Sequence, residues 1–145
     1  MIRSTLFVLI GLALANAAHA QTPAAPKPPA PAADAAPSSL SVYFAFGSTK
    51  VRPEDIAVLD HASRLYRDGH PIVMIVSGSS DSTGDASANL RLSQERADAV
   101  VHELVARGIP VDRFQVLAKG ATDLAVPTPP RTPEPRNRNV QITWR

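Results

Sequence analysis

The residues best suited to binding chemistry in this 145-residue sequence lie in one segment, residues 78–97. Small residues there form a loop between a predicted strand and a predicted helix, and such loops commonly carry binding sites. We place the helix start at Ser93, which puts Arg96 in the first turn, where the exposed N–H groups and the helix dipole disfavour a cation. A residue that breaks a local rule marks a candidate site, and Asp81 is the candidate partner of Arg96.

Four predicted strands and two predicted helices position this segment. The strands are predicted at residues 42–46, 72–76, 114–118 and 140–144, and the helices at residues 53–69 and 93–108. The unbroken apolar run of the second strand is typical of burial on both faces. Helical crossovers imply parallel neighbouring strands, and right-handed connections place both helices on one face. The sequence therefore predicts an α+β fold with one four-stranded layer and two helices.

The N-terminal residues have the composition of a leader and a spacer. Residues 1–20 contain a basic start at Arg3, an apolar run and a small-residue cleavage site, which is typical of a secretory signal peptide. The apolar run is shorter than the ~20 residues that a membrane span needs, although an uncleaved anchor in the inner membrane is the alternative. Residues 21–39, rich in proline and alanine, favour a disordered linker. The folded domain is predicted at residues 40–145.

Composition argues against several functional classes. The chain has 15 basic and 13 acidic side chains, a balance that gives no reason to expect nucleic acid as a partner. Without a cysteine there is neither a thiol nucleophile nor a thiolate zinc site, and the histidines have no metal-ligand spacing. No Gly-x-Ser-x-Gly elbow follows a strand in the serine-rich loop. We predict that the protein is not an enzyme and uses no cofactor and no metal.

Two motifs in the central segment resemble a known family. Residues 78–84 read Gly-Ser-Ser-Asp-Ser-Thr-Gly, and residues 89–97 read Asn-Leu-Arg-Leu-Ser-Gln-Glu-Arg-Ala. They resemble the Gly-x-Thr-Asp-x-x-Gly and Asn-x-x-Leu-Ser-x-x-Arg-Ala of the OmpA-like peptidoglycan-binding domain of OmpA and MotB, with Ser80 in place of threonine. Residues 137–140 resemble its closing Asn-Arg-Arg-Val. The resemblance covers residues 40–145 and implies an OmpA-like α+β domain: a four-stranded mixed sheet with two main helices on one face.

The resemblance also implies a ligand and its site. In that family an aspartate and an arginine fifteen residues apart hold the diaminopimelate residue of the peptidoglycan stem peptide, and Asp81 and Arg96 occupy those positions. Diaminopimelate ends in an ammonium and a carboxylate on one carbon. Asp81 can accept from the ammonium, and Arg96 can offer its planar fork to the carboxylate, helped by free N–H groups at the helix start. Ser80, Asn89 and Arg138 are supporting candidates, with Asn89 bonding the loop backbone and Arg138 mainly structural.

These expectations define a function and an alternative. We predict non-catalytic binding of peptidoglycan in the periplasm, contributing to envelope integrity or anchoring, in association with the outer membrane or the cell wall. Outer-membrane or other envelope proteins are further candidate partners, and no membrane span is predicted after signal cleavage. The family often carries Asp or Asn where Ala45 and Gly47 stand, so the alternative is a periplasmic interaction module that has lost or weakened this binding. At the site, the corresponding alternative is a structural Asp81–Arg96 salt bridge.

Overall fold

A computed structural model describes residues 39–145 of the chain. The predicted signal peptide, residues 1–20, and the predicted linker up to residue 38 lie outside the described residues. The strands are β1 (Ser39–Tyr43), β2 (Met74–Gly78), β3 (Phe114–Ala118) and β4 (Asn139–Trp144), and the helices are α1 (Ile56–Gly69) and α2 (Ala86–Ala106). Short 3-10 turns occupy Pro53–Asp55, Val111–Arg113 and Pro135–Asn137.

The four strands form one mixed sheet, as predicted, and their order is β1-β4-β2-β3. β2 and β3 are parallel, whereas β4 runs antiparallel to both β1 and β2. The prediction that strands joined by a helix are neighbours is therefore right for β2 and β3 and wrong for β1 and β2, because β4 lies between them. The long connection after β3 gives the chain enough length to return to the middle of the sheet.

The core lies between one face of the sheet and the two helices. Alternate strand residues such as Val42, Val76 and Ile142 point to this face, where Leu59 of α1 and Val100 of α2 cover them. All five side chains are completely buried. The apolar residues that alternate along the strands thus pack against the apolar residues that recur at helical spacing in α1 and α2. The opposite face carries polar residues such as Ser41, Ser77 and Gln141 together with Ile75 and Leu117.

β2 begins and ends two residues later than its apolar sequence predicts. It spans Met74–Gly78 and not residues 72–76, and Ile72 is 79% exposed. The strand continues through small residues because α2 packs closely over its end. A Cβ atom on Gly78 would overlap the carbonyl oxygen of Ser93, so only glycine allows this approach. The glycine that opens the central motif is thus required by helix–sheet packing.

α2 begins at Ala86, about two turns before the predicted start at Ser93. Its N-cap is Asp85, whose carboxylate accepts from the Ala88 N–H at 2.8 Å. The inward face of the first half carries buried polar residues, Asn89, Ser93 and Arg96. The apolar periodicity consequently begins only beyond them, and the predicted helix start was wrong.

Ser93 is a link between two elements and not a helix cap. Its hydroxyl donates to the Leu90 carbonyl oxygen at 2.7 Å and accepts from the Gly120 N–H at 2.9 Å. The Gly120 carbonyl oxygen in turn accepts from the Ser80 N–H at 2.8 Å. Helix α2, the loop after β2 and the loop after β3 are therefore held together at one point. Among the helices of residues 39–145, none combines the length and apolar character that crossing a membrane requires.

Candidate functional site

A pocket of about 150 Å³ opens where the loop after β1, the loop after β2 and helix α2 meet. Its charged lining residues are Asp81, Arg96 and Arg138, and Asn89 lies beside them. The structure therefore brings together both residues that the sequence motif singles out and two of the three supporting candidates. Ser80 does not line this pocket.

Arg96 lies in the middle of α2, completely buried at the pocket. The expectation that it sits in a first helical turn was wrong, and with it the idea that free N–H groups of the helix start assist it. Its guanidinium donates to three backbone carbonyl oxygens: Ser48 at 2.9 Å, Ser79 at 3.0 Å and Ala45 at 3.2 Å. Its carbon Cζ also lies 5.3 Å from the centre of the Phe44 ring. Arg96 therefore ties the loop after β1 to the loop after β2.

Arg96 has no acidic side chain within 4.0 Å of its guanidinium among residues 39–145, so the alternative of an Asp81–Arg96 salt bridge was wrong. Burial lowers the pKa of Arg96 to about 10; the charge of Asp81 opposes this shift and that of Arg138 adds to it. Buried charges are normally paired, because an unpaired charge loses its hydration and gains no ionic interaction that compensates the loss. At the base of the pocket, neutral carbonyls hold this cation; the charge of Asp81 acts on it from a distance, but within residues 39–145 no carboxylate is in direct contact with it. Three of the five N–H donors of an arginine are used, which leaves two.

Asp81 pairs with Arg138, 3.1 Å from Oδ2 to Nη1, and both side chains are largely buried. The other carboxylate oxygen accepts from the hydroxyl and the N–H of Thr83. Burial alone would raise the pKa of Asp81, but the hydrogen bonds from Thr83 and Arg138 outweigh it and hold this pKa below its ordinary value. Asp81 is therefore ionised at neutral pH and held in one orientation. Arg138, which the sequence marked as mainly structural, is its ion-pair partner.

The two remaining supporting candidates have different environments. Asn89 is 7% exposed and lines the pocket, and its side-chain amide makes no hydrogen bond within the described part of the chain. The expectation that this amide bonds the loop backbone was wrong, since only the Asn89 N–H bonds there, to the Asp85 carbonyl. The hydroxyl of Ser80 is buried and has no hydrogen-bond partner in residues 39–145. Ser80 supports the site through its backbone.

Ser82 is a supporting residue that the sequence did not reveal. Its hydroxyl donates toward the Pro129 carbonyl at 2.8 Å and accepts from the Thr132 N–H at 3.1 Å. The Ser82 carbonyl accepts from the N–H of Arg131, whose φ of 59° is in the left-handed region. The proline-rich loop is thereby fastened to the loop that carries Asp81. A serine among several in a loop gives no sequence signal for such a contact.

The charged groups of this pocket suit an organic ion. A guanidinium, a carboxylate and an amide can together contact an ammonium and a carboxylate on one ligand. Within residues 39–145, no group of three or more His, Asp or Glu side chains is arranged to hold a metal ion. The pocket has more positive than negative charge, since Arg96 and Arg138 face a single carboxylate, Asp81.

The mixed sheet, its two helices and the pocket at their edge define a small α+β binding domain. The sequence profile of the OmpA family matches residues 43–139, and the chain belongs to that family. It is 27% identical over 104 residues to the peptidoglycan-associated lipoprotein of Pasteurella multocida, covering 72% of this chain and 69% of that protein. It is 28% identical over 103 residues to the probable lipoprotein YiaD of Escherichia coli (strain K12), covering 71% of this chain.

The match covers only 47% of YiaD, so the chain corresponds to about half of the length of that relative. Among solved structures, the peptidoglycan-associated lipoprotein of Burkholderia pseudomallei superposes with a TM-score of 0.67 at 24% identity, covering 73% of this chain and 90% of that one. At this identity the similarity concerns the fold. The fold predicted from the sequence is therefore confirmed.

Proposed function

We propose that this protein binds peptidoglycan without catalysis, through the diaminopimelate residue of the stem peptide, in the pocket of Asp81 and Arg96. The observation that carries the proposal is the buried guanidinium of Arg96, which lines a pocket without an ion-pair partner in the described residues. An anionic group of a ligand would compensate this charge. The relative from P. multocida is named as peptidoglycan-associated, which supports peptidoglycan as the source of that group.

Each end of the zwitterion has a complementary group in the pocket. The carboxylate of Asp81 accepts from the ligand ammonium while Thr83 and Arg138 hold it in place. The ligand carboxylate lies toward the positive charge of Arg96, which keeps two N–H donors unused, and the free amide of Asn89 donates to it. This assignment retains the predicted roles of Asp81 and Arg96 and gives Asn89 a direct role.

We place the protein in the cell envelope, with residues 1–20 as the export signal and residues 21–39 as the linker to the binding domain. The names of its relatives, which include an outer-membrane protein and peptidoglycan-associated lipoproteins, support an envelope location. In the periplasm the linker would let the domain reach the cell wall from a second attachment point. Outer-membrane or other envelope proteins are the partners that could supply that point.

Co-sedimentation of the full chain with diaminopimelate-type sacculi tests this function. We expect the wild type to sediment and Asp81→Asn to lose at least about tenfold in affinity, since a charge-assisted hydrogen bond is removed. The matched control is Asp68→Asn, which changes an exposed carboxylate at the end of α1 and should sediment normally. Failure of the wild type to sediment would support the interaction module instead, and normal sedimentation of Asp81→Asn would refute the site.

A further inference from the structure

A second groove, of about 370 Å³, lies beside the pocket on the other side of Arg138. All of its charged lining residues are arginines, namely Arg52, Arg136 and Arg138, and the remaining lining is mostly apolar, with Tyr43 and Pro135 at its walls. Arg138 lines both the groove and the pocket of Asp81. A ligand seated at Asp81 that continues past Arg138 would therefore enter this groove.

Intramolecular contacts hold the first of the three arginines in place. Arg52 Nε donates to Asp55 Oδ2 at 2.7 Å and lies 3.1 Å from the Tyr43 carbonyl oxygen. Its Nη1 lies 3.1 Å from Glu54 Oε1, and the guanidinium carbon lies 6.0 Å from the centre of the Tyr43 ring. Its Nη2 has no hydrogen-bond partner in residues 39–145.

The other two arginines are held in the same way. Arg136 donates from Nε and Nη2 to the two carboxylate oxygens of Glu134, at 3.0 and 3.1 Å. Arg138 donates from Nε to the Phe44 carbonyl oxygen at 3.2 Å and from Nη1 to Asp81. Nη1 of Arg136 and Nη2 of Arg138 make no hydrogen bond within the described residues. Each of the three guanidinium groups is thus oriented on one side and has donors left on the other.

This arrangement favours an anionic guest with oxygen acceptors. Each of the three arginines is paired with at least one carboxylate, so the attraction of the groove for an anion comes from the N–H donors that remain unused and not from a surplus of positive charge. Guanidinium groups that are already oriented lose less conformational entropy when they bind a carboxylate, and their planar edges match its two oxygens.

We propose that this groove binds a second carboxylate of the same stem peptide, the free α-carboxylate of the γ-linked glutamate that precedes diaminopimelate. The proposal rests on the proposed function, since diaminopimelate in the first pocket brings its neighbour to Arg138. Arg138 then orients Asp81 for diaminopimelate and donates to the glutamate carboxylate, and Arg136 and Arg52 act on the glutamate carboxylate alone. The groove would thereby distinguish stem peptides with a free glutamate from those in which this carboxylate is amidated.

The test is a calorimetric titration of the full chain with three ligands: free diaminopimelate, a tripeptide of alanine, γ-glutamate and diaminopimelate, and the same tripeptide with the glutamate α-carboxylate amidated. For the wild type we expect amidation to weaken binding roughly three- to tenfold. In Arg136→Gln, and separately in Arg52→Gln, we expect the free-acid peptide to bind as weakly as the amidated one. The control is Arg67→Gln, which removes an exposed arginine of α1.

The outcomes separate the two proposals. Equal binding of the two tripeptides by the wild type, or an unchanged preference in both groove variants, would overturn the role of the groove while leaving diaminopimelate binding in place. A wild type that binds none of the three ligands would overturn the proposed function as well. Equal loss of free diaminopimelate and tripeptide in Arg136→Gln would also contradict the proposal, because Arg136 does not line the first pocket.

Discussion

Asp81 forms its ion pair with Arg138, 57 residues further along the chain, at 3.1 Å from Oδ2 to Nη1. Arg138 immediately precedes β4, the strand that enters the sheet between β1 and β2. Thr83 orients one oxygen of this carboxylate locally, but the other oxygen has its partner only when the last strand is in place. Assembly of the site depends on the completed topology of the sheet and not on the central motif alone.

Asp81→Asn should remove a pH-dependent part of the stability. The folded state holds the pKa of Asp81 below its ordinary value of 3.8, so the charged form stabilises the fold fully above that value. This contribution disappears as the pH falls through the lower folded-state pKa. We expect Asp81→Asn to cost about 1–3 kcal/mol at pH 7 and progressively less below pH ~4. Urea unfolding from about pH 2 to about pH 7 measures the difference, and a difference independent of pH would contradict the assignment.

Arg96→Ala should destabilise the fold itself. The substitution removes the donor of three hydrogen bonds to backbone carbonyls and leaves a cavity in place of a completely buried side chain. We expect a loss of about 3–5 kcal/mol in the free energy of unfolding. Arg96→Lys should lose less, because it keeps the charge but cannot reach all three carbonyls.

Thermal unfolding of both variants measures these losses. If the free energy of unfolding of Arg96→Ala is within about 1 kcal/mol of the wild-type value, Arg96 does not have the bridging role assigned to it. Because Arg96→Ala is expected to destabilise the whole domain, a loss of cell-wall binding in this variant does not identify a ligand contact. Asp81→Asn is the better probe of ligand binding.

Gly78→Ala should strongly destabilise the domain, although it adds only one methyl group. The new Cβ would overlap the Ser93 carbonyl oxygen of α2, and backbone atoms cannot move aside as a flexible side chain can. We expect a cost of about 2–4 kcal/mol, measured by chemical denaturation. Gly69→Ala is the control, since nothing lies within 4 Å of its added Cβ, and it should be neutral or slightly stabilising. Similar stabilities of the two variants would refute the close packing of α2 on β2.

Ser93→Ala should cost stability through the Gly120 N–H, which loses its buried acceptor. We expect about 1–2 kcal/mol, together with faster hydrogen exchange at the Gly120 amide. Ser63→Ala is a matched control: this buried serine of α1 makes the same bond to a carbonyl three residues earlier, at 3.0 Å to Asp60, but accepts from no N–H within residues 39–145. Unchanged exchange at Gly120 in Ser93→Ala would contradict the link between α2 and the loop after β3.

The parts of the fold that follow from hydrophobic periodicity were predictable. The alternation in β4 and the spaced apolar residues of α1 gave both elements within a few residues. The first half of α2 was not predictable in this way, because its inward face carries Asn89, Ser93 and Arg96. Their acceptors and donors lie on other loops, and a periodicity of apolar residues cannot reveal a helix face that is buried and polar.

The pocket was predictable in part for a related reason. The motif located Asp81 and Arg96, because its resemblance to the OmpA-like family marks both positions. Which groups they contact depends on the tertiary structure: Arg96 reaches carbonyls of two loops, and Asp81 reaches an arginine next to the final strand. The sequence motif shows which residues are candidates for binding, and the order of the strands decides which of them are in contact.

Recognition of a zwitterion is tested most directly by two tripeptides that differ only at their third residue, diaminopimelate in one and lysine in the other. Lysine keeps the terminal ammonium and lacks the carboxylate assigned to Arg96 and Asn89. Calorimetric titration of the full chain should show the diaminopimelate peptide binding at least about tenfold more tightly, with Asp81→Asn weakening both peptides. Equal affinity of the wild type for the two peptides would contradict the proposal that this pocket recognises diaminopimelate.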